Sequence, residues 1–211
     1  MKTVSFKEKI SHLLFSWLNN LAYKQYYRPK FGYITPHRLF FEYLIPQKIL
    51  RINGKTNWPV HFTSKIIDSH KITKGIMCDP GDSPNTYIQA SNGIVFGSNI
   101  ETGPGTRIIS SNHDLNNYSQ KVASQPIIIG NNVWIGANTV ILPEVHIGNN
   151  VVIGAGSVVT KNIPSNCIAF GNPCKVIKSK EAYTLKLDIN TFNRTIPKQF
   201  DFLCNNYEKN I

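Results

Sequence analysis

The stretch PIIIGNNVWIGANTVILPEVHIGNNVVIGAGSVVTKNIP, residues 126–164, places an aliphatic side chain at every sixth position. A second set of small or branched residues follows each of them four positions later. A period held over so many steps indicates a repeat architecture. The first set is Ile129, Ile135, Ile141, Ile147, Ile153 and Val159, and the second is Val133, Thr139, Val145, Val151, Ser157 and Ile163.

A step of six matches neither the 3.6-residue period of a helix nor the simple alternation of a strand. It fits one short strand and one turn per repeat, with three repeats closing a triangular coil. Coils of this kind stack at the strand spacing, about 4.8 Å. We therefore predict that Ile129 lies over Ile147, that Ile135 lies over Ile153, and that Ile141 lies over Val159.

The same phase runs through the preceding part of the chain, where it is less regular. It begins near Val60, is interrupted by the turn-rich residues 79–84, and is regular again from Ala90 to Ile108. Ile108 and Ile129 lie twenty-one positions apart, which is not a multiple of six, so the spacing predicts an insertion at 111–125. Long loops inside a compact repeat are often functional.

The flanking segments carry helical patterns. Apolar residues spaced three and four apart over 6–21 predict an amphipathic helix, which either packs on the domain or contacts a membrane surface through residues 5–21. Thr35 and Pro36 are typical of a helix start, with Pro46 as its end, and Lys48–Ile52 is a candidate strand. The regular coil is expected to end at Pro164.

These patterns divide the chain into a helical extension at 1–57, a mainly β coil at 58–178 with its inserted loop, and a tail with helical spacing at 179–211. The four cysteines have neither disulfide nor zinc spacing, and no secretory signal is recognisable, which favours the cytoplasm. The net charge of +11 suits nucleic acid, acidic lipid, acidic glycan or a phosphorylated cofactor. No nucleic-acid-binding module surrounds the basic aromatic stretch at 23–33, so no nucleic-acid partner is expected.

Four motifs resemble the hexapeptide-repeat acyltransferases, especially the sugar and polysaccharide O-acetyltransferases. They are SNHD at 111–114, IGNNVWIG at 129–136, GAGSVVTK at 154–161 and GNPCKVIK at 171–178. The resemblance implies a left-handed parallel β-helix, a homotrimer with active sites between subunits, acetyl-CoA as acyl donor, no required metal, and a sugar or surface glycan as acceptor. The amphipathic N-terminal helix also allows a location at the inner face of the membrane.

By the same resemblance, His113 is the general base and Trp134 helps to enclose the thioester and acceptor. The chemistry agrees, because an imidazole can accept a hydroxyl proton at neutral pH. An oxyanion then needs an N–H donor, which the resemblance places near Ala137. The pantetheine arm is expected along Ala137, Ala155, Thr160 and Lys161, and the CoA phosphates are expected at Lys175 and Lys178.

The acceptor site is less defined. Galactoside and maltose enzymes use Asn and Asp where this chain has Ser83 and Ser91, so the resemblance makes a simple galactoside pocket doubtful. Asn85 is a further candidate contact, and Asp114 either contacts the acceptor, orients His113 or is a solvated loop acid.

Two other functions stay open, and a third lacks its ligands. Antibiotic, amino-sugar and serine acetyltransferases share the coil, since a fold does not determine an acceptor. A zinc enzyme needs three converging histidines, and the sequence offers no such set. A non-catalytic β-helix scaffold would leave His113 dispensable.

Overall fold

The computed structural model describes residues 13–15, 17 and 36–184. The chain enters through a helix, α1, whose first turn is α-helical at Pro36–Arg38 and which continues as a π-helix over Leu39–Ile49. Short strands follow. They are β1 (Lys65–Ile67), β2 (Ile72–Lys74), β3 (Tyr87–Gln89), β4 (Ile94–Phe96), β5 (Ile100–Thr102), β6 (Arg107–Ile109), β7 (Ile127–Ile129), β8 (Val133–Ile135), β9 (Val140–Ile141), β10 (His146–Ile147), β11 (Val151–Ile153), β12 (Val158–Val159), β13 (Cys167–Phe170) and β14 (Lys175–Ser179).

These strands form the three faces of a left-handed parallel β-helix. Face 1 has the order β1-β3-β6-β9-β12, face 2 the order β2-β4-β7-β10, and face 3 the order β5-β8-β11-β13-β14. All pairs are parallel except β13 with β14. Each turn of the chain therefore visits faces 1, 2 and 3 in order, and three edges, 1/2, 2/3 and 3/1, join them.

The predicted stacking of aliphatic residues from coil to coil is confirmed. Ile147 is the register partner of Ile129, Ile153 of Ile135, and Val159 of Ile141. All members of both sets are buried, and all except the polar Thr139 and Ser157 belong to one large apolar cluster of the described residues. Burial of this kind stabilises a fold by about 25 cal/mol for each Å² of apolar surface removed from water, which explains why the coils must stack.

The 2/3 edge is held by asparagines in the left-handed backbone region. In this conformation the Cβ of an L residue approaches the following carbonyl oxygen. Gly lacks the Cβ, and Asn and Asp offset the cost because their short polar side chains form local hydrogen bonds. The asparagine amides also bond from coil to coil: Asn99 Nδ2 donates to Asn132 Oδ1 at 2.8 Å, and Asn150 Nδ2 donates to Asn166 Oδ1 at 2.8 Å. The turn residues are Asn99, Asn132, Asn150 and Asn166, with φ of 57°, 56°, 57° and 59°.

Two predictions about α1 are wrong. Pro46 lies inside the helix rather than at its end, and Lys48 and Ile49 belong to the helix rather than to a strand. The chain closes wider turns there, with the Leu50 N–H donating to the Ile45 carbonyl at 3.1 Å. In an α-helix, the ring of a proline clashes with the carbonyl four residues earlier. The wider turns of a π-helix move that carbonyl away, so the helix can continue through Pro46.

The buried side chain of Gln47 explains why the helix continues past Pro46. Its amide Nε2 donates to the carbonyls of Thr56 and Trp58, both at 2.9 Å, and its Oε1 accepts from the Val60 N–H at 3.3 Å. Because α1 continues to Ile49, the Gln47 amide reaches the backbone of residues 56–60, which leads into the first coil. The predicted cap at Thr35 lies outside the described residues.

The expected end of the coil at Pro164 is also wrong. The chain completes another pass of face 3 as β13 and then folds back as the antiparallel strand β14. Cys167 and Ala169 face inward and are buried, so the apolar pattern continues with smaller residues. Residues 185–211, including most of the predicted helical tail, lie outside the described residues.

The predicted N-terminal helix is described only at residues 13–15 and 17, which are helical. Phe15 packs on α1, with its ring centroid 4.9 Å from that of Phe40, whereas Leu13 and Trp17 are exposed. None of the described helices combines the length and the apolar character that crossing a bilayer requires.

Close contact between coils predicts a difference between two glycines of the 3/1 edge. A Cβ at Gly136 would lie 2.4 Å from the Ala155 backbone nitrogen, whereas a Cβ at Gly156, whose φ is +70°, meets nothing within 4 Å. We expect Gly136→Ala to cost at least about 2 kcal/mol through overpacking. Gly156→Ala is expected to cost about 1 kcal/mol, the penalty of a left-handed alanine.

Urea denaturation followed by circular dichroism measures both changes. Gly156→Ala is the matched control, since both variants add one methyl group to the same edge. Equal shifts of the two midpoints would contradict the close stacking at Gly136.

Candidate functional site

The inserted loop is a hairpin standing on the 1/2 edge. His113 and Lys121 form an antiparallel bridge across it. The Asp114 N–H donates to the Gln120 carbonyl at 3.0 Å, and the Val122 N–H donates to the Asn112 carbonyl at 2.9 Å. A segment without any six-residue period therefore has its own backbone order, which gives His113 a defined place.

Side chains of the coil attach this hairpin to the edge. The Asn92 amide donates to the Val122 carbonyl and to Ser124 Oγ, both at 2.8 Å. The Gln125 N–H donates to Glu144 Oε1 at 3.4 Å from the other side. Contacts to two separate coils hold the returning arm of the loop, residues 122–125, on the 1/2 edge.

A hydrogen bond shows which ring nitrogen of His113 carries the proton. Nδ1 lies 2.6 Å from the carbonyl oxygen of Tyr118. A carbonyl only accepts hydrogen bonds, so Nδ1 must carry the proton in the neutral ring, and Nε2 keeps its lone pair. The side chain is exposed. Nε2 can therefore accept a proton from a bound molecule.

Asp114 shapes the turn next to this histidine. Its Oδ1 accepts from the backbone N–H groups of Asn116 and Asn117, at 2.8 Å and 2.9 Å. This arrangement is an Asx-type turn, which positions the chain just before Tyr118. The carboxylate therefore acts on the backbone that carries the orienting carbonyl.

Trp134 lies on a different part of the coil. It stands on β8 in the middle of face 3, with Glu101 and Val152 as its register partners, and 60% of its surface is exposed. His113 stands on the edge between the other two faces. The structure does not place these two side chains on the same surface of one chain.

The six candidate cofactor residues also divide among surfaces. Ala137 and Ala155 are stacked on the 3/1 edge, where the Gly156 N–H donates to the Ala137 carbonyl at 2.8 Å. Thr160 and Lys161 follow β12 at the 1/2 edge, and Lys175 and Lys178 lie on β14 of face 3. All except the half-buried Ala137 are exposed.

Of the acceptor candidates, Ser91 and Asp114 share the 1/2 edge with His113, whereas Ser83 and Asn85 lie at the 3/1 edge. Ser83 Oγ donates to the Thr102 carbonyl at 2.5 Å, and Asn85 occupies a left-handed turn with φ of 59°. Ser91 Oγ donates to Asp68 Oδ2 at 2.9 Å. Within one chain, only the 1/2-edge pair lies beside His113.

Sequence reasoning missed Tyr118, Asp68 and Lys121. Tyr118 contributes only a backbone carbonyl, which leaves no trace in residue type. Lys121 is placed by the hairpin register and Asp68 by the stacking of coils, and both become visible only once the strand partners are known.

Cys167 and Cys174 are not suited to act as nucleophiles. Burial raises the pKa of the Cys167 thiol and, as the main cause, that of the Cys174 thiol. A protonated buried thiol is a poor nucleophile. Within the described ranges, no three His, Cys, Asp or Glu side chains form a group that could hold a metal ion.

Comparison with known proteins gives the repeat a family. The family described as Bacterial transferase hexapeptide (six repeats) matches residues 126–161. Over 88 residues the chain is 47% identical to a galactoside O-acetyltransferase of Escherichia coli (strain K12), which covers 40% of this chain and 43% of that protein. Over 61 residues it is 69% identical to Protein CapG of Staphylococcus aureus, which covers 29% of this chain and 36% of that protein.

Among solved structures, the chain is similar to AntD, an N-acyltransferase from Bacillus cereus in complex with dTDP and 3-hydroxybutyryl-CoA. The TM-score is 0.50 at 18% identity, over 71% of this chain and 88% of that one, a likeness that concerns the fold alone. The chain spans less than half the length of the two curated relatives it matches.

Residues 126–161 thus match the hexapeptide-repeat family, and the coil that contains them is a left-handed parallel β-helix. The sequence of this coil is similar to that of a protein named galactoside O-acetyltransferase.

The bond from His113 to Tyr118 predicts a tautomer. In ¹⁵N-histidine-labelled protein at a pH where the ring is neutral, we expect His113 to show a protonated Nδ1 and an unprotonated Nε2, because the Tyr118 carbonyl accepts from Nδ1. Two-bond ¹H–¹⁵N correlation spectra distinguish the tautomers, and the spectrum of His113→Gln protein assigns the signal. An Nε2-protonated ring would contradict the geometry.

Proposed function

We propose that this protein is an O-acetyltransferase that moves acetyl from acetyl-CoA to a hydroxyl of a sugar or surface glycan. The observation that carries the proposal is the 2.6 Å contact between His113 Nδ1 and the Tyr118 carbonyl, which orients an exposed imidazole and assigns Nε2 as its proton acceptor. A base held in this way meets the first requirement of acyl transfer to an alcohol. The names of the relatives support the choice of reaction.

In this mechanism, His113 Nε2 takes the proton of the acceptor hydroxyl as its oxygen attacks the thioester carbonyl carbon. The tetrahedral intermediate collapses to the acetyl ester and breaks the carbon–sulfur bond. The departing CoA thiolate takes the proton back from the imidazolium, so His113 returns to its starting state. The Tyr118 carbonyl stabilises the imidazolium by accepting from Nδ1–H.

The oxyanion of that intermediate needs a donor, and we assign this role to the Ala137 amide. Ala137 lies in the turn that follows β8, three residues after Trp134. Its N–H donates to no acceptor among the described residues 36–184. An unpaired amide on a rigid edge is suited to stabilise developing negative charge.

The site requires two subunits. His113 stands on the 1/2 edge, whereas Trp134, Lys175 and Lys178 belong to face 3 and Ala137 belongs to the 3/1 edge. A homotrimer that packs the 1/2 edge of one subunit against face 3 and the 3/1 edge of the next would complete each site. Cyclic symmetry then gives three equal sites.

The donor fits between the two subunits. Ala137 and Ala155 of one subunit leave room for the pantetheine arm beside the stacked backbone of the 3/1 edge, and Thr160 and Lys161 of the 1/2 edge would line it from the subunit that carries His113. Lys175 and Lys178 are exposed ammonium groups on β14 that can face the CoA phosphates. The catalytic unit is then 58–178, with 1–57 and 179–211 as its extensions.

Loss of the base should abolish turnover without removing the donor site. We expect His113→Ala to lower kcat by at least about a hundredfold, the usual effect of losing a general base. Calorimetric titration with CoA should give an unchanged Kd. His146→Ala removes another exposed histidine, on face 2, and is the matched control with near-normal turnover. Near-normal turnover of His113→Ala protein would make the proposed mechanism wrong.

Mixed trimers test the division of the site between subunits. His113→Ala and Trp134→Ala proteins, each expected to be impaired, are unfolded together and refolded as a mixture. If His113 and Trp134 come from different subunits, random assembly restores about a quarter of the sites. Activity no greater than the average of the two variants would contradict a shared site.

A further inference from the structure

A polar cluster lies on the 1/2 edge below the hairpin, and we call its members Asp68, Lys71, Ser91 and Lys121 the edge cluster. Ser91 is its centre. Its Oγ donates to Asp68 Oδ2 and accepts from Lys121 Nζ, both at 2.9 Å, and its carbonyl accepts from Lys71 Nζ at 2.7 Å. The cluster joins two coils and the hairpin.

The hairpin register brings this cluster to His113. His113 and Lys121 are directly opposite each other in the antiparallel bridge. Residues in such a pair project their side chains from the same side, with Cβ atoms about 5 Å apart. The ammonium that reaches Ser91 therefore comes from the side of the hairpin that carries the imidazole.

The cluster has more positive than negative charge. It contains two ammonium groups and one carboxylate, and both lysines are exposed. Each ammonium has three N–H donors, of which contacts within the described residues use one. Two other acids of this edge accept hydrogen bonds from the backbone. Asp114 accepts from the N–H groups of its turn, and Glu144 accepts from the Gln125 N–H.

We infer that the acceptor of this enzyme is an acidic saccharide, whose carboxylate binds Lys71 and Lys121 while a hydroxyl faces His113 Nε2. The inference rests on the proposed acetyl transfer and specifies its acceptor. A neutral sugar would leave the spare ammonium donors to water, whereas a carboxylate accepts from both and gains charge-assisted bonds. The edge cluster thereby binds acidic sugars in preference to neutral sugars.

The test compares acceptors that differ only in charge. Oligosaccharides of galacturonate, glucuronate and mannuronate are each assayed beside their carboxyl-reduced forms, with acetyl-CoA and mass-spectrometric detection. We expect at least one acidic member to have a kcat/KM about tenfold or more above its neutral partner. That preference should lie mainly in KM and decrease from about 50 to about 500 mM NaCl, because salt screens exposed charges.

Substitutions of single lysines test whether the edge cluster causes the preference for acidic acceptors. Lys71→Gln and Lys121→Gln should each lower the acidic-to-neutral ratio severalfold, and the double variant should remove it. Lys65→Gln makes the same charge change on β1, outside the edge cluster, and should retain the ratio. If the lysines only support the hairpin, their replacement lowers kcat/KM for both members equally and leaves the ratio unchanged, which would overturn the inference.

A binding measurement separates this inference from the catalytic proposal. The same acidic oligosaccharides are titrated calorimetrically into His113→Ala protein saturated with CoA. Binding of an acidic member that weakens with Lys71→Gln and Lys121→Gln supports the edge cluster even without turnover. If acetyl is transferred equally to charged and neutral members, or if no acidic oligosaccharide binds, the inference is wrong. If acidic members bind but no carbohydrate is acetylated, the proposed function is wrong instead.

Discussion

The stacking of inward side chains from coil to coil is the constraint on which the rest of the molecule depends. Each short strand buries only one or two apolar residues, which is too few to fold alone. Their burial comes from the residue above and the residue below, as in the pair Ile129 and Ile147. Neighbouring coils must therefore lie close together at the edges. Asparagine amides bond from one coil to the next there, and glycines let the backbones come into contact.

Regular stacking fills the interior of the coil, so the proposed general base stands where the period is interrupted. The hairpin at 111–125 leaves face 1 after β6 and returns at β7, without changing the pairing of either strand. An insertion at an edge costs the core nothing, because both neighbouring strands keep their partners. His113 thus gains a free position on a rigid support.

Both ends of the coil illustrate why local patterns failed there. Pro46 and Pro164 are ordinary stop signals for a helix and for a strand, yet α1 continues through the first and the coil continues after the second. In each case a tertiary contact outweighs the local preference. Gln47 is bound to carbonyls beneath the first coil, and β13 pairs with β11.

The sequence by itself determined the period, the inward residues, the stacking partners and the place of the insertion, because a side chain that must be buried at every sixth position leaves a direct trace in residue type. Only the tertiary structure decided how the insertion folds, that the Tyr118 carbonyl orients His113, and that Lys121 bonds to Ser91, which in turn bonds to Asp68. These contacts join residues of different coils or use backbone atoms. Neither kind of contact produces a pattern along the chain, so the surroundings of His113 become visible only when the coils are stacked.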